Sequence, residues 1–109
     1  SDLALRLIDR GFVLVSDDQT MLSKVGGRLI ATAPPTIKGK IEVRGIGIVE
    51  MPVLDKAAVS LWVTLNNEVK RLPDGETHLI LGMNVPEIGL DAAAASAPLK
   101  VEMALDRLQ

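Results

Sequence analysis

The residues best suited to do chemistry in this chain fall between Ser1 and Ile48. Asp17 and Asp18 are adjacent carboxylates at the end of the apolar run Phe12-Val13-Leu14-Val15. In open α/β sheets ligands bind beyond the carboxyl ends of the strands, so acids there reach a metal ion or a substrate hydroxyl. A carboxylate in hydrogen-bond reach of a hydroxyl can serve as its general base. Asp is also a favoured turn residue, and a solvated turn is the alternative reading of the pair. Further on, Ile41-Glu42-Val43-Arg44-Gly45-Ile46-Gly47-Ile48 sets a charged pair and two glycines among β-branched residues. Glycine inside a strand lets a ligand or another backbone approach closely, and a half-exposed, bulged strand is the competing explanation. Finally, Ser1 opens directly onto Asp2-Leu3-Ala4-Leu5. A Walker A loop ends in Gly-Lys-Ser/Thr and runs into a helix whose N-terminal amides hold phosphate. An ordinary N-cap serine has the same local appearance.

The elements that must position these groups follow from periodicity. Leu3, Ala4, Leu7 and Ile8 recur at helical spacing from Asp2 to Arg10, and Gly11 supplies a stop. Residues 12–15 then read as a short buried strand. Thr20–Lys24 and Arg28–Thr32 flank Gly26-Gly27 and predict a β-hairpin. Ala33-Pro34-Pro35 breaks the pattern, and Ile41 to Met51 reads as one further strand ended by Pro52. Val59–Leu65 and Thr77–Leu81 are strands, with a polar loop or weak helical turn over 66–75 between them. Ala92 to Ala95 is expected as a short helix. Ser96-Ala97-Pro98 offers a capping hydroxyl and a first-turn proline to a C-terminal helix over Leu99–Leu108.

Composition narrows the function classes. The chain has 109 residues, sized for one domain, and 48% are hydrophobic, so it can bury a core. Phe12 and Trp62 are its aromatic residues, which leaves the core to Leu, Ile, Val, Ala and Met; Trp62 is expected in that core. The net charge of -2, with no basic patch interleaved with aromatics, excludes a nucleic-acid footprint. No apolar run is long enough for a membrane span. Zero cysteines exclude a disulfide framework and fit a cytoplasmic setting. A single histidine, His78, reads as a surface or strand-edge residue. Oxygen ligands therefore suit Mg²⁺ better than zinc.

Taken together, these residues resemble the HPr kinase/phosphorylase family. Its members carry a Walker A loop ending Gly-Lys-Ser, a helix containing Ala-Leu, an Arg-Gly turn, a strand ending Asp-Asp, and the signature Glu-Ile-Arg-Gly-Leu-Gly-Ile. Here Ser1, Ala4-Leu5, Arg10-Gly11, Asp17-Asp18 and Glu42-Val43-Arg44-Gly45-Ile46-Gly47-Ile48 stand in the same order. The short loops and Pro34-Pro35-Thr36-Ile37 look like the compact form of alphaproteobacteria.

The resemblance implies an α/β, P-loop kinase-like domain with a central mixed sheet, an inserted hairpin and a C-terminal helix. Residues 1–109 correspond to the catalytic domain without its first strand and most of the Walker A loop. It implies ATP- and Mg²⁺-dependent phosphorylation of a serine on an HPr-like phosphocarrier, with phosphorolysis as the reverse reaction. Ser1 and Glu42 correspond to metal-binding residues, and Ser1 to the nucleotide-binding serine. Asp18 corresponds to the base that deprotonates the acceptor, with Asp17 supporting the metal or the base. Arg71 stands where the family has an active-site arginine. Arg44, Gly45 and Gly47 belong to a segment used in both directions of catalysis. The family assembles as hexamers, so a homo-oligomer is implied.

This chain departs from the pattern in lacking Gly-x-x-x-x-Gly-Lys before Ser1 and the family's upstream histidine, and in having no clear match within Glu87–Lys100 to the loop used in reversal. The 109 residues alone are accordingly not expected to be a competent kinase. The rival readings are a non-catalytic nucleotide-sensing module of the same fold and a P-loop kinase for another substrate.

Overall fold

The computed structural model describes residues 2–65 and 76–108. The chain divides into two units, Ser1–Ala58 and Val59–Gln109. The first unit opens with helix α1, Asp2–Asp9. The helix ends as its glycine predicts: Gly11 takes φ +102°. The Gly11 N–H donates to the Ile8 carbonyl at 3.0 Å and the Phe12 N–H to the Leu7 carbonyl at 3.1 Å. This crossed pair satisfies carbonyls that the helix itself leaves open.

Residues 12–15 differ from the buried strand expected of them. Leu14 is buried, but Val13 is 51% exposed. The segment's one ladder contact among the described residues is a parallel bridge from Leu14 to Val53, where the Leu14 carbonyl accepts from the Leu54 N–H at 2.9 Å. A single bridge fixes the chain at Leu14 and leaves residues on either side outside any ladder. The chain then turns through Ser16–Gln19, with the Ser16 hydroxyl donating to the Gln19 carbonyl.

Strands β1 (Met21–Val25) and β2 (Arg28–Thr32) form the expected hairpin around Gly26-Gly27. The short β5, Lys56–Ala58, adds antiparallel to β2 and was not anticipated. Asp55, just before it, pairs with Lys38 at 2.5 Å. The hydrogen bond and charge of Lys38 hold its carboxyl below the usual range.

The stretch expected as one strand, Ile41 to Met51, is instead a second hairpin of β3 (Lys40–Val43) and β4 (Gly47–Glu50). The reversal is made at Gly45, φ +81°, in a turn closed by the Ile46 N–H donating to the Val43 carbonyl at 3.0 Å. Positive φ at the third turn position is a conformation that glycine adopts without a Cβ clash. Alternation along β3 then sorts the side chains. Ile41 is fully buried, contributing roughly 1.5–3 kcal/mol, and so Glu42 faces solvent.

The second unit is built on β6 (Trp62–Leu65), β7 (Thr77–Ile80) and β8 (Met83–Leu90), ordered β6-β8-β7. β6 runs parallel to β8 and β7 antiparallel to it, which gives the mixed sheet the α/β class requires. The central strand β8 was not foreseen, because Pro86 and Gly89 interrupt its pattern. Pro86 sits opposite Thr77 and one residue before pairing with β6 begins at Glu87, so its missing N–H leaves the ladder intact.

Trp62, expected in the core, is half-buried and stacks on His78 with ring centroids 4.0 Å apart and planes 5° from parallel. Its indole spans β8 to reach His78 on the edge strand β7, where that histidine was expected. The Glu87 carboxylate of β8 accepts from the Thr64 hydroxyl at 2.5 Å and stands 3.7 Å from His78 Nδ1.

The β7–β8 turn is Leu81-Gly82, both at positive φ, +50° and +75°. Leucine in this conformation costs about 1–2 kcal/mol, and Leu81 is 54% exposed, so little burial offsets the strain. Leu81→Asn, giving the Asn-Gly pair such turns favour, is expected to raise stability by about 1 kcal/mol. A higher urea midpoint at unchanged slope is the measurement that checks it.

Residues 92–96 form turns rather than the helix expected over the alanines. Helix α2, Ala97–Arg107, follows with Pro98 in its first turn and buries Ala97, Pro98 and Val101. Ser96 does not cap it with its hydroxyl. Its backbone is already helical, at φ -80° and ψ -5°, rather than in the extended conformation that aims a capping oxygen at the first-turn amides.

Candidate active site

The Leu14–Val53 bridge and the turn of Ser16–Gln19 set Asp17 and Asp18 beside the β3–β4 hairpin. Asp17, Asp18, Glu42 and Arg44 line one cleft of about 410 Å³. Glu42 and Arg44, with Val43, also line a neighbouring cavity of about 240 Å³ against Asp2 and Leu5 of α1. Asp17 is half-buried; Asp18, Glu42 and Arg44 are exposed. The Asp17 carboxylate accepts the Glu42 backbone N–H at 2.9 Å, across a sequence separation of 25. The two motifs singled out in the sequence therefore meet in space.

Gly45 and Gly47, both at positive φ, shape the turn beside the cleft. A Cβ built at either would meet nothing within 4 Å, so backbone conformation rather than crowding calls for glycine there. Ser1 and Arg71, the remaining residues named from the sequence, lie outside the described residues. Asp2 and Leu5 were read as the start of the helix that follows the candidate Walker A serine, with Ala4-Leu5 matching the family, but not as lining a site. Their place in the first turns of α1, next to the candidate phosphate-binding serine, was the signal that could have marked them.

The chemistry of the cleft is that of hard oxygen donors. Three carboxylates face it against one guanidinium, so an anionic phosphate chain would be repelled unless a cation stood between. Carboxylate oxygens are donors of the kind Mg²⁺ takes, one or two at a time beside water and substrate phosphates; among the described residues no group of three or more His, Cys, Asp or Glu side chains is assembled around a metal position.

The family model for the HPr serine kinase C-terminal domain matches residues 1–105. An HPr kinase/phosphorylase of Bordetella petrii is 35% identical over 108 residues, covering 86% of this chain and 35% of the relative. One of Clostridium beijerinckii is 34% identical over 101 residues, covering 81% and 33%. This chain thus spans about a third of the length of these relatives. The solved structure of the Hpr(Ser) kinase/phosphatase from Coxiella burnetii superposes with a TM-score of 0.83 at 32% identity, covering 97% of this chain and 73% of that one. The chain belongs to the HPr kinase family and has the fold of its C-terminal domain.

Proposed function

We propose that this domain carries the phosphoryl-transfer site of a protein serine kinase that uses ATP and Mg²⁺ to phosphorylate an HPr-like phosphocarrier. The observation that carries the reading is the cleft in which Asp18 meets Glu42 and Arg44, contributed by separate segments of a chain of this family. Asp18 is the base: it accepts the proton of the acceptor hydroxyl as that oxygen bonds to phosphorus and the bond to the nucleoside diphosphate breaks. Glu42, together with Ser1, supplies oxygen ligands for Mg²⁺. A divalent ion held by these residues would supply positive charge against the phosphate oxygens. Arg44 offers a cation to the phosphoryl group, and Arg71 is assigned the same kind of role on family resemblance.

The phosphate-binding residues Gly-x-x-x-x-Gly-Lys belong immediately before Ser1 in this proposal, so the activity is that of the full-length protein. A cytoplasmic site of action and a homo-oligomeric assembly, hexameric by resemblance, belong to the same reading. Among the described residues, no helix is long and apolar enough to cross a membrane.

A protein acceptor rather than a small molecule is favoured by the rim of the cleft. Ile46 and Ile48 are 77% and 71% exposed on the hairpin that carries Glu42 and Arg44, and Ile48 stands opposite Glu42. An aspartate there would meet an apolar partner surface with a buried charge. Ile46→Asp is expected to raise KM for the phosphocarrier about 10-fold while kcat for transfer stays within about twofold. An equal loss in kcat and kcat/KM would place Ile46 in the chemical step instead.

The test of the reading is incubation of the full-length protein with γ-labelled ATP and a purified HPr-like phosphocarrier, followed by mapping of the modified residue. Label on a serine is the expected result. Nucleotide binding without transfer to any carrier would identify the regulatory module instead.

A further inference from the structure

The geometry points to Asp17 as a positioning residue, a clasp that holds the β3–β4 hairpin in register with the acidic turn, rather than as a base or metal ligand. The argument begins with the direction of one N–H group. The Met51 N–H donates to the Gly39 carbonyl at 2.9 Å, so Gly39 and Met51 form a bonded pair at the open end of the hairpin. Bonded and non-bonded pairs alternate along an antiparallel ladder. The next bonded pairs are therefore Ile41–Val49 and Val43–Gly47, and Glu42 faces Ile48 at a non-bonded position. The Glu42 N–H consequently points away from β4, toward the outer edge of β3.

At that edge the Asp17 carboxylate receives it, at 2.9 Å, where a further strand would otherwise pair. A charged acceptor on a backbone N–H is a strong hydrogen bond, and Asp17 is half-buried while Asp18 beside it is exposed. The adjacent acids thus have separate tasks. Asp17 spends its carboxylate on the backbone of Glu42, and Asp18 is left to face the cleft. Because the bond is to the backbone of Glu42 itself, it sets where the Glu42 and Arg44 side chains enter the cleft. A misplacement of about 1 Å in such a group can cost on the order of 100-fold in rate.

The catalytic part of this inference rests on the kinase reading; the clasp does not, and the experiment separates them. Two variants of the full-length protein are compared, Asp17→Ala and Asp17→Asn. Asparagine keeps an oxygen that can accept the Glu42 N–H but carries no charge and takes no proton. Amide exchange at Glu42 is expected to be slow in the wild type and in Asp17→Asn, and at least about 10-fold faster in Asp17→Ala. Phosphoryl transfer is expected to fall about 100-fold in Asp17→Ala and to be rescued to within about fivefold of wild type in Asp17→Asn. The Mg²⁺ concentration for half-maximal rate is expected to be the same in Asp17→Asn and wild type.

Loss of transfer in Asp17→Asn with Glu42 still protected would overturn the inference, since the charge itself would then be needed. Unchanged Glu42 exchange in Asp17→Ala would overturn it as well. If the wild type transfers no phosphate, the kinase reading fails while the exchange data still decide the clasp.

Discussion

Asp18→Ala is expected to slow transfer of phosphate to the acceptor serine by about 1,000-fold, in line with the loss of a positioned general base. Nucleotide binding and its Mg²⁺ requirement are expected to stay near wild-type values. The separation follows from geometry. Asp18 is exposed at the cleft and makes none of the hydrogen bonds that hold the hairpin, so removing its carboxylate removes a proton acceptor and leaves the site's shape unaltered. Single-turnover transfer measured beside equilibrium nucleotide binding checks the result. Near-normal transfer would take Asp18 out of the base role, and a matched loss of binding would move it into the binding site.

The second large effect is expected at Glu42. Glu42→Gln keeps the side chain's size and its solvent-facing position opposite Ile48, while removing a charged oxygen ligand. Metal-assisted charge stabilisation is worth several kcal/mol at the transition state, so turnover at fixed Mg²⁺ is expected to fall about 100-fold. The Mg²⁺ concentration for half-maximal rate is expected to rise about 10-fold. A titration of rate against Mg²⁺ distinguishes this variant from Asp18→Ala, whose curve is lowered but not displaced. A Glu42→Gln curve lowered without displacement would argue against the ligand assignment.

Much of the site was legible because its residues violate their local setting. A pair of acids after an apolar run, and Glu42, Arg44 and two glycines among β-branched residues, call for explanation before any fold is known. That they share a site was implied by the family resemblance alone; the contact of Asp17 with the Glu42 backbone was not legible. It depends on which way the Glu42 N–H points, and that is decided by the register of a hairpin the sequence disguises as a single strand. Gly45 was noticed, but as an interruption rather than a reversal. Gly26-Gly27 was read correctly as a turn because clear strand patterns flank it.

The same difficulty hid β8. Pro86 and Gly89 argue locally against a central strand, and tertiary pairing accommodates Pro86 at a position where its missing donor matters little. Ser96 shows the reverse case, a sound local capping signal set aside by a turn that enters α2 already in helical conformation.

The stack of Trp62 on His78 has a spectroscopic consequence. Trp62 is the chain's single tryptophan, and an imidazole lies against its ring at 4.0 Å. Intrinsic emission therefore originates in the β6-β8-β7 sheet, in the unit Val59–Gln109, whereas Asp17, Asp18 and Glu42 belong to the unit Ser1–Ala58. A melting curve followed by tryptophan light reports when His78 and Trp62 part company. Loosening of the acidic cleft has a reporter of its own, the Glu42 amide already built into it.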